Sequence, residues 1–303
     1  MRKLLVVSVL LATALPLLAS FGYAHPSTFL GVTLSASKGQ DAPSDGRGAQ
    51  TKPGGGGTGV QTVNTSRRAA VPTGPVPRLA NGRVDLNGVW VGGGPINDLE
   101  KDGGLKPGDI DNLMLPWAKE LMSKRDVTLE PHNQCLPMGV PRVTPFPYRF
   151  IQNYTDKQPT HLFILHEGNI HTYRQIFMDG RKHPEDLDST WLGHSIGRWE
   201  GDTLVIDTVG YNDKFWFDRR GHPHTEQLHT IERWTRKDLG HMENVVTIDD
   251  PGAYTKPFTV RFMATWTPGD ELLEYICQEN NQYGVQTLPG GLPPADTTNS
   301  GRK

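Results

Sequence analysis

The chain of 303 residues carries 31 Lys and Arg against 33 Asp and Glu, a formal net charge of -2. So even a balance does not suggest a nucleic-acid or anionic-membrane partner, and a small-molecule ligand is expected. The 11 His and 7 Trp are the informative part of the composition.

At the start, Arg2 and Lys3 precede an apolar run from Leu4 to Leu18, and Gly22-Tyr23-Ala24 follows. That pattern reads as a secretory signal peptide over 1–24, too short and wrongly flanked for a membrane anchor. The mature protein is therefore expected to be periplasmic or secreted, with no membrane insertion. Removal after Ala24 would expose His25, as in copper enzymes that bind metal through an N-terminal histidine, but the linker-like stretch that follows argues against that use. Residues 25–77 are rich in Gly, Ser, Thr and Pro, with Gly54–Gly57 in a row. They bury too little apolar surface to offset their ordering entropy and read as a disordered linker. A Gly/Pro/Thr-rich tail over 284–303 reads the same way, which leaves one domain over 78–283.

Arg83–Val91 reads as an opening strand. Its Gly88-Val89-Trp90 resembles the start of lipocalin-like barrels, in which the Trp closes the barrel floor. Leu113–Arg125 has helical spacing through Leu113, Trp117, Leu121 and Met122, with Pro116 in the first turn. The prolines between Cys135 and Tyr148 exclude a central strand or helix and leave an extended loop. Strand runs follow at about ten-residue intervals: Arg149–Asn153, Thr160–His166, Ile170–Met178, Ser195–Trp199, Thr203–Val209, Gln227–Arg236, Met242–Ile248, Phe258–Trp266 and Glu271–Glu279. The expected fold is mainly β, an antiparallel lipocalin-like barrel with one short helix; a β-sandwich or jelly roll is the alternative. Polar residues interrupt otherwise apolar strand faces, as they would in a barrel whose interior holds a polar site. Cys135 and Cys277 have no Cys-x-x-Cys spacing. In an exported chain the default is a disulfide, closing a loop of about 140 residues and contributing on the order of 5 kcal/mol.

The polar groupings begin with the hairpin of Trp191–Asn212, whose turn is Glu200-Gly201-Asp202. Asp207 there shares a face with Val205 and Val209, where a carboxylate is unusual unless paired or used. His166-Glu167 and His171–Arg174 flank a turn, and Asp179–Pro184 is a turn carrying Arg181 and His183. Gly193-His194-Ser195-Ile196-Gly197 matches the hydrolase Gly-x-Ser-x-Gly pattern literally but leads into a strand, so the nucleophile lacks its elbow. Gly221–His229 is the richest: on an extended chain His222, His224 and Glu226 share one face, as strand-borne metal ligands do. Pro223 between the histidines points instead to a loop.

Five patterns occur together: Cys135-x-Pro-x-Gly-x-Pro-Arg142; Arg174-x-Ile-x-x-Asp-Gly-Arg-x-His-Pro184; Gly193-x-Ser-Ile-Gly-x-Trp-Glu-Gly-Asp-Thr-Leu-Val-Ile-Asp207; Asp249-Asp-Pro; and Glu274-Tyr-Ile-Cys277. The set resembles a family of uncharacterised exported bacterial β-rich proteins met in organisms that degrade plant or aromatic compounds. The resemblance implies export, one β-rich domain and small organic ligands; it transfers no catalytic residue.

The function expected from these residues is cofactor-free acid–base lysis or rearrangement of a small aromatic or hydroxylated compound. Asp207 or Glu226 would act with His224 or His229, Arg174 and Arg233 would stabilise developing negative charge, and Tyr173 and Trp199 would wall the pocket, with His171 and Arg181 also binding substrate. Two alternatives stay open: a non-catalytic carrier of an apolar molecule, and an oxygenase or hydrolase using a divalent transition metal on His222, His224 and Glu226. Oligomeric state is not readable from the chain.

Overall fold

The computed structural model describes residues 70–155, 158–168 and 172–277. The stretch read as a signal peptide, most of that read as a linker, His171 and the tail lie outside them. Nine strands follow one another around a closed barrel: β1 (Val89–Gly92), β2 (Tyr148–Thr155), β3 (Gln158–His166), β4 (Tyr173–Phe177), β5 (His194–Glu200), β6 (Thr203–Val209), β7 (His229–Arg236), β8 (His241–Asp249) and β9 (Phe258–Thr267). Two short helices, α1 (Leu99–Asp102) and α2 (Pro116–Lys124), fall between β1 and β2. The mainly β class is thus as the strand spacing predicts, and α2 lies inside the expected helical stretch.

All neighbours pair antiparallel except β4 and β5, which run parallel through Ile176↔Ser195 and Phe177↔Ile196. This departs from a wholly antiparallel barrel, and topology requires it. Nine strictly alternating strands would bring β9 parallel to β1, whereas one parallel step restores the observed antiparallel closure, Val89↔Thr267 through Gly92↔Ala264. The crossover that allows it is the loop from Met178 to Gly193. Among the described residues the expected tenth strand is not formed: Glu271–Ile276 is irregular, because β1 already occupies the free edge of β9. That segment is instead held by Leu273 N–H donating to Glu167 and by the Cys135–Cys277 disulfide, the pairing expected of the two cysteines.

The β5–β6 hairpin forms as its sequence dictates. Gly201 takes φ +59° in the turn, and Leu204, Ile206 and Thr208 face inward while Asp207 faces out. Residues 70–77, read as linker, are partly integrated: Val76 packs against the barrel core, and Leu239 N–H donates to Gly74 O at 2.9 Å. Apolar Val71 and Val76 give this end of the linker surface to bury.

Two apolar clusters fill the fold. One, around the buried Trp90, contains Phe150, Ile164, Ile206 and Trp234. There the Trp90 indole donates to Leu86 O at 3.0 Å, and the Arg236 guanidinium lies 4.8 Å over its ring. The other, built on Phe215, Phe217, Tyr254 and Val246, joins strand residues to the long connections. Buried inward-facing polar residues accompany this packing: Tyr148, His166, Arg174, Ser195, Thr208, Glu232 and Asn244. Arg174 and Glu232 form a buried ion pair at 2.6 Å, and Arg174 also reaches the Ser195 and Thr208 hydroxyls at 3.3 and 3.2 Å. Among the described residues no helix is long and apolar enough to cross a membrane, and the disulfide is consistent with an oxidising compartment.

Candidate active site

Asp207 projects from the outer face of β6, where the alternation of the strand puts it beside β7. One of its oxygens accepts from two imidazoles: His229 Nε2 of β7 at 2.8 Å and His183 Nε2 of the crossover loop at 3.1 Å. The other nitrogen of His183, Nδ1, stands 2.8 Å from Nδ1 of His194 at the start of β5. The hydrogen-bond pattern assigns the protons. Ionised Asp207 can only accept, so His183 Nε2–H and His229 Nε2–H point at it. With the His183 proton on Nε2, its Nδ1 accepts from His194 Nδ1–H, which leaves the lone pair of His194 on Nε2. The result is a chain from carboxylate through one imidazole to a second.

The electrostatics follow. Hydrogen bonding from His229, followed in weight by the opposing effect of burial, leaves the Asp207 carboxyl below the usual carboxylate range. The same bond raises His229 above an ordinary histidine. His194 is lowered by burial, then by His183 and Arg181, so it is the free base near neutrality.

Local structure places His194. Gly193 has φ +65°, and a Cβ there would strike Val209 O at 2.7 Å, so the tight entry into β5 requires glycine. Thr190 is pinned to the end of β6 by Thr190 N–H to Gly210 O at 3.0 Å and Asn212 N–H to Thr190 O at 2.7 Å. Phe177 stacks on the His194 ring with centroids 4.9 Å apart, and Arg181 covers Phe177 at 3.9 Å while pairing with Asp179 at 2.5 Å.

The short β4–β5 pairing leaves the first half of β4 without a neighbour on that side. There a cleft of about 550 Å³ opens, bordered by Tyr173, Arg174, Phe177, Leu187, His194 and Ser195. Tyr173 is 58% exposed at its edge. A base therefore meets open space of small-molecule size, with aromatic walls and a carboxylate-backed histidine behind it.

The other residues singled out in the sequence lie elsewhere. The chain around His222 and His224 is a loop rather than a strand, so no common face forms. His222 is buried between Asp218 at 2.6 Å and Asp111 at 2.8 Å. Burial lowers its pKa, but hydrogen bonds to Asp111 and Asp218 prevail and raise it to about 9. His224 is buried among rings, 3.8 Å from the Phe215 centroid, and burial drives it to about 3. Glu226 is exposed. Among the described residues no group of three or more His, Cys, Asp or Glu is disposed to hold a metal ion, and the trio considered for one does not converge. Arg233 lies on the outer wall, paired with Glu200 at 2.8 Å. Trp199 packs against the apolar cluster around Trp90. Ser195 is buried, 2.9 Å from Thr208, as the missing elbow predicts. His171 lies outside the described residues.

Of the expected acid–base set, the structure joins Asp207 and His229 and places Arg174 and Tyr173 at the adjoining cleft. His183 and His194 complete the arrangement without having been named for it. Their signal was present, a histidine in each of two flanking motifs, but only the parallel crossover brings them together.

Comparison with known proteins finds no matching family model, no matching curated protein and no matching solved structure.

Proposed function

We propose that this chain is an exported enzyme performing cofactor-free acid–base lysis or rearrangement of a small aromatic or hydroxylated organic compound at the wall cleft. The observation that carries this reading is the Asp207–His183–His194 chain, with links of 3.1 and 2.8 Å, ending at a cleft bordered by Tyr173 and Phe177. His194 takes a proton from the substrate and returns it to the product or leaving group, so no external oxidant or reductant is needed. Asp207 is a positioning residue: it fixes the tautomer of His183 and, through it, that of His194. Arg174 borders the cleft, but its guanidinium is engaged inside the barrel by Glu232, Ser195 and Thr208, so it braces the wall and does not meet the substrate. A carrier needs no such relay. The apolar leader and the disulfide support export.

The test is turnover of a panel of hydroxylated aromatic compounds by the full chain, repeated with His194→Gln and Asp207→Asn. Both variants should lose about 10²–10⁴-fold in rate, the usual contribution of a positioned acid–base group, with the fold intact by circular dichroism. Full activity in both variants would falsify the assignment.

A further inference from the structure

The wall cleft leaves a second space unexplained. A pocket of about 320 Å³ lies behind Gly92–Gly94 and reaches into the barrel beside Thr144, Tyr148, Trp234, Asn244 and Phe262. We propose that this pocket is a binding site for a small neutral hydroxylated aromatic compound. The inference rests on different residues from the acid–base reading and stands without it.

Four side chains that line the pocket are buried: Thr144, Tyr148, Trp234 and Asn244. Each carries a buried polar atom with no partner among the described residues: Thr144 Oγ1, Tyr148 Oη, Trp234 Nε1 and Asn244 Oδ1. Buried polar groups are almost always paired, and each one left alone is penalised. Four around one space mark groups held for something that enters it.

Their chemistry limits the ligand. Trp234 Nε1 can only donate and Asn244 Oδ1 can only accept, while the two hydroxyls do either. A ligand hydroxyl, which donates and accepts, answers both kinds. Tyr148 and Trp234 meet edge to face with centroids 5.5 Å apart, and Phe262 adds a third ring at the pocket, which suits a planar aromatic body. Charge is balanced on every side. Arg174 and Glu232 are already paired inside, Lys101 sits next to Asp102 at the pocket, and Arg261 pairs with Glu243. A neutral ligand is therefore favoured over an ionised one. The volume stands near the bottom of the roughly 300–1,000 Å³ range of small-molecule pockets, enough for a single ring.

Tyr148 supplies a variant that separates binding from folding. Its hydroxyl makes no bond among the described residues, so Tyr148→Phe should fold at least as well as wild type. Calorimetric titration of the full chain with catechol should give saturable binding, and toluene, a ring without hydroxyls, should bind at least about tenfold more weakly. Tyr148→Phe and Asn244→Leu should each weaken catechol by about tenfold, with the Tyr148→Phe melting temperature held or raised. If Asn244→Leu fails to fold, Tyr148→Phe decides alone. Four results would overturn the proposal: no saturable catechol binding, toluene binding as tightly, wild-type affinity in Tyr148→Phe, or catechol binding lost in His194→Gln, which would put the ligand in the wall cleft instead.

Discussion

His166 and His194 lie on the same barrel under opposite conditions. His166 is sealed inside beside Tyr148, both ring nitrogens unpartnered, and burial followed by the Arg174 charge pushes it to about 3. Tyr148 is pushed the other way, well above an ordinary tyrosine, by burial and Glu232. The interior therefore keeps fixed protonation states throughout the neutral range. It can hold a ligand by hydrogen bonds but exchanges no protons there. On the wall, His183 and His229 bond the partly exposed Asp207 carboxylate and His194 reaches it through His183, with links short enough to pass a proton. Depth in the barrel thus divides binding chemistry from acid–base chemistry.

The comparison breaks most visibly in stability. Arg174→Met strands the Glu232 carboxylate in the interior and should cost about 3–5 kcal/mol by urea denaturation, the usual penalty for halving a buried pair. A loss below about 1 kcal/mol would mean the interior is wetter than its burial indicates.

Acid denaturation should separate the two kinds of histidine. The unfolded chain protonates His166 below about pH 6.5, whereas the folded protein resists until about 3. Stability therefore falls as pH drops through that window. His166→Leu should flatten this limb of a urea-midpoint profile taken from pH 7 to 4. His229 has the opposite sign. Its raised pKa contributes stability that is complete below about pH 6.5 and lost as pH rises through its folded value. His229→Gln should therefore fall further below wild type in acid than in base. The same slope in both variants would erase the distinction.

The smallest effect is expected at the wall. Asp207→Asn removes a carboxylate whose side chain is 23% exposed and whose imidazole partners keep access to water, so it should cost no more than about 1 kcal/mol of stability. A loss of several kcal/mol would turn the cluster from a proton relay into a structural clamp on the crossover loop.

The hairpin, the strand spacing and the alternation that sets Asp207 opposite Leu204, Ile206 and Thr208 were legible along the chain, because the turn at Gly201 and the two-residue period are local; that the Asp207 face turns outward, and not into a polar interior, was not. A polar interior was legible only in outline, from polar residues on otherwise apolar strand faces, and not which groups would meet. The tenth strand was misread because strand propensity in Glu271–Glu279 says nothing about whether a sheet edge remains free. The alternative metal trio is not gathered, because His-x-His shares a face only on an extended chain and the chain around Pro223 is the loop that this proline suggests, with both histidines buried. What the sequence alone determined is which residues alternate, which turn and which cannot be strand. Only the tertiary structure decided partners, for a physical reason: His183, His194, Asp207 and His229 are joined by one parallel crossover and two ladder registers, and the chain reveals these contacts only once the barrel has closed.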